Sequence, residues 1–217
     1  MRNLLEIDSV QLNFGDRKIL SNIYIQSTTG KITGILGRNG CGKSCLLKLI
    51  FGEISTNEKS VRINGDMLLE DYRNPADIRM LSQFNCLPKH LKVRQAFNYF
   101  DVNFDEFCNT FNEFLAWSHF KIKELSGGNN RMIEIFLILK SNTKFCLLDE
   151  PFSHLSPKNA EIFMELLKKE KEKKGIIVTD HLYQYITKMS DDLYLIKDCA
   201  SYKIDNVDKL KDYGYLR

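Results

Sequence analysis

The chain lacks the long apolar runs that a membrane-spanning protein needs. In its 217 residues no uninterrupted hydrophobic stretch approaches the roughly 18 to 20 residues that cross a bilayer. The first six residues, from Met1 to Glu6, contain no apolar segment long enough for a secretory signal. We therefore expect neither a membrane span nor a signal peptide in this sequence.

Paired cysteines and an excess of one charge are also missing. The six cysteines are scattered and form no C-x-x-C pair, which favours reduced thiols in a cytosolic protein over a disulfide framework or a zinc site. A net charge of only +3, from 31 basic and 28 acidic side chains, is too balanced to predict nucleic acid as the main ligand. The 43% of hydrophobic residues suffices for the core of one large α/β domain.

Short apolar segments separated by helical patterns predict the fold class. Four segments read as buried strands, over 32–36, 145–148, 176–179 and 193–196, and helical patterns cover 45–51, 158–174 and 182–189. Such alternation predicts a mostly parallel sheet with helices on both faces. The first third instead predicts antiparallel strands over 4–10 and 19–26, and a hairpin in which Asn64-Gly65 joins 61–63 to 67–69.

The middle of the chain is helical and rich in aromatic residues. Between residues 93 and 120, phenylalanines recur at spacings of three or four, at Phe97, Phe100, Phe104, Phe107, Phe111 and Phe114. This period predicts a small helical subdomain in which most of the rings pack against one another. Near the other end, the charge run 168–174 reads as a solvated helix end that Gly175 stops.

Residues 37–44 read G-R-N-G-C-G-K-S, which matches the phosphate-loop pattern G-x-x-x-x-G-K-[ST]. Glycines let the backbone curl so that several N–H groups point at one phosphate, and the following helix adds its positive end. The pattern predicts Lys43 at the β and γ phosphates and Ser44 on Mg²⁺. An ordinary glycine-rich turn is the alternative, although the predicted strand before the loop and the helix after it favour nucleotide binding. The residues expected to contact the nucleotide are Gly37, Asn39, Gly40, Cys41, Gly42, Lys43, Ser44 and Cys45.

A second acidic site follows the apolar segment 145–148, where Asp149 and Glu150 precede Pro151. Because a parallel sheet carries its ligand sites at the carboxyl ends of its strands, both acids are expected to face the phosphates. Asp149 then fits the Mg²⁺ shell, and Glu150 is placed to polarise an attacking water. The alternative is a solvated acidic pair that opens a turn.

Between these two sites, residues 125–129 read Leu-Ser-Gly-Gly-Asn and resemble the LSGGQ signature of ABC-type ATPases, the nucleotide-binding subunits of ATP-binding-cassette transporters. The resemblance extends over nearly the whole chain. It implies a P-loop NTPase core in a single ATP-binding domain, residues 1–217, with an N-terminal antiparallel β subdomain. A helical subdomain over about residues 84–140 is then inserted in that core.

The resemblance also implies roles for single residues. Phe14 occupies the position of the aromatic that stacks on adenine, and Gln83 that of the Q-loop glutamine, a ligand of the metal near the reacting phosphate. Asp149 and Glu150 match the Walker B aspartate and the catalytic glutamate, and His181 the switch histidine at the γ-phosphate. The alternatives are that Phe14 caps the first hairpin and that Gln83 is a surface glutamine. For His181 taken alone, a structural histidine is the better interpretation, and its spacing after Glu150 favours the γ-phosphate role.

The dimer that the resemblance implies depends on Ser126, Gly127 and Gly128. Their exposed N–H groups and a positive helix end suit the γ-phosphate of a second subunit, which implies two nucleotides sandwiched in a homodimer or heterodimer. Otherwise these residues form a simple helix N-cap. Ser156 stands where the family's D-loop has Asp, which leaves communication across the dimer open.

The expected function is that of a cytoplasmic ATP hydrolase at the inner face of a membrane, powering a transporter whose spanning subunits are separate chains. Any aromatic rings of 97–114 that stay exposed are expected to form a groove for a short partner helix. Two alternatives stay open: a soluble ABC ATPase acting on ribosomes or DNA, and a regulatory module that holds ATP without hydrolysing it.

Overall fold

A computed structural model of the chain describes residues 2–68 and 74–216 as an α/β fold with two sheets. The predicted hairpin strand 67–69 ends on Leu69, which lies outside the described residues. The strands are β1 Leu4–Phe14, β2 Arg17–Thr28, β3 Ile32–Gly37, β4 Ser60–Ile63, β5 Asp66–Met67, β6 Ile78–Leu81, β7 Phe145–Asp149, β8 Gly175–Thr179, β9 Asp192–Lys197 and β10 Ala200–Lys203. The helices are α1 Lys43–Phe51, α2 Val93–Phe100, α3 Phe104–Thr110, α4 Gly127–Lys140, α5 Pro157–Glu170, α6 Tyr183–Met189 and α7 Lys209–Asp212.

The smaller sheet is antiparallel, with the strand order β2-β1-β4-β5. Its long hairpin β1–β2 turns at Gly15, whose φ of +58° suits glycine, and pairs Phe14 with Arg17 across the turn. The predicted antiparallel β subdomain is confirmed. Its hairpin carries Phe14 at the tip, 53% exposed.

The larger sheet has the order β10-β9-β3-β8-β7-β6, and every pairing in it is parallel except β10 with β9. This confirms the predicted mostly parallel sheet. Strand β6 was not predicted, because Arg79 interrupts the short apolar run of Ile78–Leu81. The carboxyl ends of β3, β8, β7 and β6 meet at one edge, so this strand delivers the segment after residue 81 to the same place.

The rings of the aromatic helical region pack in the hydrophobic core that they share with α4, α5 and one face of the larger sheet. Phe97, Phe107 and Phe114 have no exposed surface, and the Phe107 ring centroid lies 4.9 Å from that of Phe136 on α4. The prediction that most of these rings pack internally is confirmed, and Phe100 alone of the six predicted phenylalanines is only half-buried. Within residues 2–68 and 74–216, no helix combines the length and hydrophobicity needed to cross a bilayer.

The charge run 168–174 contradicts its prediction. Helix α5 ends at Glu170, so the segment that follows is a turn rather than helix. Glu170 and Lys174 are buried, 3% and 4% exposed. The Lys140 amine lies 2.7 Å from Glu170 Oε1, and the Lys174 amine donates to the carbonyl of Leu139 at 2.7 Å. A run of alternating charges usually indicates a solvated face. Here Glu170 and Lys174 instead pack against the C-terminal end of α4, where they bind the Lys140 amine and the Leu139 carbonyl.

Candidate phosphate-binding site

The phosphate loop joins the end of β3 to the start of α1. Gly40 and Gly42 have φ values of +78° and +103°, in the left-handed region that favours glycine. Gly42 is the N-cap of α1 and has no side chain to cap the helix, and the first turn contains no acidic residue. The free amides of that turn and the helix dipole therefore favour an anion at this position.

Lys43 is turned inward, only 5% exposed, and its amine donates to the carbonyl of Gly37 at 2.8 Å. The charge is thus held inside the loop that is expected to receive the phosphates. Cys41 fills the space beneath the loop, since a Cβ added to Gly37 would lie 2.4 Å from its Sγ. Burial raises the pKa of the Cys41 thiol. The uncharged thiol therefore acts as a packing group here rather than as a nucleophile.

Asp149 ends β7 and is completely buried. Its Oδ1 accepts a hydrogen bond of 2.7 Å from the Thr179 hydroxyl, whereas Oδ2 is buried with no partner among the described residues. A buried carboxylate with one unused oxygen is suited to a cation. Thr179 was not singled out in the sequence, where it reads only as the end of a strand.

Glu150 follows with a φ of +47°, unusual for a residue with a side chain. Three side chains lie near its carboxylate, and one of them, the Ser153 hydroxyl, donates to Glu150 Oε2 at 3.5 Å. The side-chain amide of Gln83 donates to Glu150 Oε2 at 3.1 Å, and Nδ1 of His181 lies 3.8 Å from the same oxygen. The strand ends therefore bring together three residues that are far apart in the chain.

The turn that carries His181 is fixed by the residue before it. Asp180 is fully buried and accepts hydrogen bonds from the backbone N–H of Leu182 at 2.9 Å and of Phe152 at 3.3 Å. Burial raises the pKa of Asp180. The His181 side chain itself is 47% exposed, so it faces the open space above the strand ends.

One open cavity of about 640 Å³ collects most of the predicted residues. Those that line it are Phe14, Asn39, Gly40, Gly42, Lys43, Ser44, Cys45, Gln83, Glu150 and His181. Gly37, Cys41 and Asp149 lie in or beneath the loop and strand ends without being part of this lining. Arg17 and Ile19 also line the cavity, and sequence reasoning missed both. The only signal for Arg17 was its position across the hairpin turn from Phe14.

The signature residues lie elsewhere. Of the described residues that line this cavity, none belongs to 126–128. Ser126 and Gly127 are exposed at the start of α4, where the Ser126 hydroxyl accepts from the N–H of Asn129 at 3.1 Å. Ser156 is likewise an N-cap, of α5, accepting from the N–H of Asn159 at 3.3 Å. Serine therefore supplies the cap that an Asp would give at this position.

The donor set fits a magnesium ion held jointly with phosphates. Ser44 offers a hydroxyl in the cavity, Asp149 its unused Oδ2, and Gln83 a side-chain amide. Among residues 2–68 and 74–216 there is no group of three or more His, Cys, Asp or Glu arranged for a metal. Mg²⁺ bound with nucleotide needs only one or two protein carboxylates, so these residues match that kind of site rather than an all-protein cage.

Known proteins resemble this chain over most of its length. Residues 20–153, more than half of the chain, match the model of a family described as ABC transporter. An ABC transporter ATP-binding protein of Methanocaldococcus jannaschii is 29% identical in an alignment 205 positions long, which covers 91% of this chain and 75% of that protein. The phosphonates import ATP-binding protein of Fusobacterium nucleatum is 28% identical in an alignment 223 positions long, gaps included, which covers 91% of this chain and 90% of its own length.

A solved structure of the ATP binding subunit of an ABC transporter has the same fold. It superposes with a TM-score of 0.79 at 19% sequence identity and covers 97% of this chain and 93% of its own.

Proposed function

This chain belongs to the ABC transporter family, and on that premise we propose that it binds and hydrolyses ATP to drive a transporter whose membrane-spanning subunits are separate chains. The observation that carries the proposal is the shared cavity, in which an exposed aromatic, a phosphate loop and a carboxylate with two polar neighbours face one another.

In this proposal the cavity holds one nucleotide along its length. Adenine stacks on Phe14, which projects 53% exposed from the hairpin tip. The amides of the loop and of the first turn of α1 bind the phosphates, and the Lys43 amine exchanges its carbonyl partners for phosphate oxygens. Arg17, beside Phe14, adds a positive charge at the same end.

Hydrolysis depends on Glu150 as the general base. The Gln83 amide donates to its carboxylate at 3.1 Å and helps to set its direction before a water molecule arrives, while His181 Nδ1 lies 3.8 Å away, beyond hydrogen-bond distance. Ser44, Asp149 and Gln83 would hold Mg²⁺, which supplies charge neutralisation on the phosphates when bound. His181 is exposed enough to donate to the γ-phosphate as that group departs.

The exposed signature supports a dimer. Ser126 and Gly127 face solvent at the start of α4, whose N-terminal amides and dipole suit a phosphate. Since they lie outside this chain's own cavity, the phosphate they bind belongs to a nucleotide on a second copy or a close relative. Two nucleotides then lie between two chains, and closure around them does the mechanical work.

A second surface suits the membrane partner. A cavity of about 570 Å³ opens between β6 and α2, and we name it the apolar groove after the residues that line it, including Met80, Leu87, Leu91, Tyr99 and Phe100. Its size and character suit a short apolar helix from the membrane-spanning subunit. The protein would then sit peripherally on the cytoplasmic face of the membrane. Most aromatic rings of residues 97–114 are buried, so fewer of them can contact the partner than the sequence pattern suggested.

The central test is phosphate release from the purified full-length chain with Mg-ATP. Glu150→Gln should lower turnover by at least about a hundredfold while ATP affinity stays unchanged, because only the base is removed. Glu161→Gln, on the exposed face of α5, is the matched control and should leave turnover unchanged. Wild-type turnover in Glu150→Gln would remove Glu150 as the base. ATP binding without any release by the wild-type chain would favour the regulatory module.

The partner is tested in detergent extracts of native membranes. An integral membrane protein should co-purify with the tagged chain, and Tyr99→Asp in the apolar groove should abolish its recovery. Phe120→Asp replaces another ring, which is 44% exposed but lies outside the groove, and should leave recovery of the membrane protein unchanged. Recovery of the chain with ribosomes or DNA instead would favour the soluble, non-transport ATPase.

A further inference from the structure

Arg131, one turn into α4, is buried with a side-chain exposure of 2%. Its guanidinium donates three hydrogen bonds to main-chain carbonyls: Nη1 to Ser82 at 2.6 Å, and Nη2 to Asp149 at 2.7 Å and Glu150 at 3.0 Å. One side chain therefore ties the segment after β6 to the end of β7. Both segments lead into the cavity described above.

Glu134 lies one helical turn further on and is equally buried, 1% exposed. Its Oε1 accepts from the backbone N–H of Cys86 at 2.7 Å and of Leu87 at 3.2 Å, and its Oε2 lies 3.6 Å from Arg131 Nη1. Each charge compensates the other in a region without solvent, so removing one leaves the other buried and unpaired.

The backbone that Arg131 grips is unusual. Glu150 has a φ of +47°, which a residue with a side chain adopts only where its surroundings hold it. Its N–H donates to the Thr179 carbonyl at 2.9 Å, and its carbonyl accepts from Arg131. The peptide groups on both sides of its Cα are thus fixed, and with them the direction in which the side chain leaves the backbone toward the cavity.

The other end of this network reaches the apolar groove. Ser82, Cys86 and Leu87, which bond to the pair through their main chains, all line that groove. Hydrogen bonds at both ends and the 3.6 Å ion pair between them therefore connect the groove wall, through Glu134 and Arg131, to the carbonyl of Glu150. Neither Arg131 nor Glu134 lines the open cavity where the nucleotide would lie.

We propose that Arg131 and Glu134 are a positioning pair, anchored in the wall of the apolar groove, that holds the carboxylate of Glu150 in its reactive direction. The proposal rests on the role of Glu150 as general base. The pair touches neither nucleotide nor water and acts through the main chain of β7 and of the segment after β6.

The test uses Arg131→Lys and Glu134→Gln in the full-length chain, each with Glu150 intact and with Glu150→Gln. A lysine keeps the charge but is a single point donor that cannot span three carbonyls. We expect kcat to fall about tenfold or more with Arg131→Lys, and by a smaller factor with Glu134→Gln, while ATP affinity changes by less than about threefold.

The double variants separate positioning from a general loss of structure. If the pair acts through Glu150, then Arg131→Lys has no further effect on the residual turnover of Glu150→Gln, because the group it positions is gone. If instead the two losses multiply, or if Arg131→Lys changes ATP affinity as much as kcat, the positioning proposal is overturned. Should Arg131→Lys fail to fold, Glu134→Gln with Glu150 intact and with Glu150→Gln allows the same comparison of turnover.

Lys140→Met is the matched control. Lys140 lies at the end of α4 opposite to Arg131 and makes an ion pair with the buried Glu170 of α5. The substitution should lower the unfolding temperature and leave kcat within about twofold. A control that lowers kcat as strongly as Arg131→Lys would assign the effect to the stability of α4 and overturn the proposal. Failure of the proposed function is distinct: in that case Glu150→Gln itself would turn over like the wild-type chain.

Discussion

The side-chain amide of Gln83 donates a hydrogen bond of 3.1 Å to Oε2 of Glu150, joining residues that follow two neighbouring parallel strands. The segment after β6 also borders the apolar groove through Ser82 and Cys86. One short segment therefore faces the proposed partner on one side and the proposed base on the other. A substitution at Gln83 is therefore expected to affect hydrolysis.

Removing the Gln83 amide should slow hydrolysis without unfolding the chain. In Gln83→Ala the carboxylate of Glu150 loses a donor and a proposed metal ligand is lost, so we expect kcat to fall about tenfold. Steady-state phosphate release at saturating Mg-ATP measures it. Gln184→Ala, an exposed glutamine on α6, serves as the control. Unchanged kcat would reduce Gln83 to a surface glutamine.

Loss of the exposed ring at the hairpin tip should weaken nucleotide binding. Base–aromatic stacking contributes about 1 to 3 kcal/mol, so Phe14→Ala should raise the Kd for ATP about fivefold or more, and Phe14→Tyr should restore it. Fluorescence titration with an ATP analogue measures the affinity. Phe120→Ala removes another exposed ring and should leave Kd unchanged. Equal affinities for Phe14→Ala and the wild type would mean that Phe14 only caps the hairpin.

The buried carboxylate of Glu170 should make stability depend on acid pH. Burial favours its neutral form, but hydrogen bonds and positive charge from Lys140 and Lys173 outweigh this and lower the pKa of Glu170. Its contribution is present above the unfolded pKa of about 4.3 and is lost as the pH falls through the lower folded value. Glu170→Gln should therefore destabilise the chain by about 2 kcal/mol near neutral pH.

Urea denaturation at about pH 7 and about pH 3.5 checks this, and the difference between Glu170→Gln and the wild type should shrink at the lower value. Glu165→Gln is the control, because Glu165 pairs with Lys168 on the exposed surface of the same helix. A difference that grows on acidification would contradict the assigned direction of the pKa.

The strand that leads into the phosphate loop should not tolerate a single extra carbon at Gly34. A Cβ there would lie 2.2 Å from the Ser190 hydroxyl and 2.5 Å from Cγ2 of Ile186, so β3 and α6 would have to separate. Gly34→Ala should cost about 1 to 3 kcal/mol of unfolding free energy in urea. Gly127→Ala meets no described atom within 4 Å of the new Cβ and should cost nothing. Equal stabilities would show that α6 can shift freely.

Most of the fold could be predicted from local patterns in the sequence. The continuous apolar strands, the Asn64-Gly65 turn and the three-to-four spacing of the phenylalanines are short-range signals, so the elements that they predicted are present. Strand β6 was missed because Arg79 interrupts its apolar run, unlike the continuous apolar runs of the predicted strands. The end of α5 was misplaced because alternating charges look alike whether they are solvated or paired beneath another helix.

The sequence by itself determined the chemistry available: a loop of glycines ending in Lys43 and Ser44, and two acids after a strand, because backbone curling and strand ends depend on neighbours along the chain. Only the tertiary structure decided which distant residues meet. The parallel order of β3, β8, β7 and β6 brings Gln83 and His181 to Glu150, and burial turns Arg131 and Glu134 into a bound pair. Those contacts depend on strand order and desolvation, which no local pattern of residues encodes.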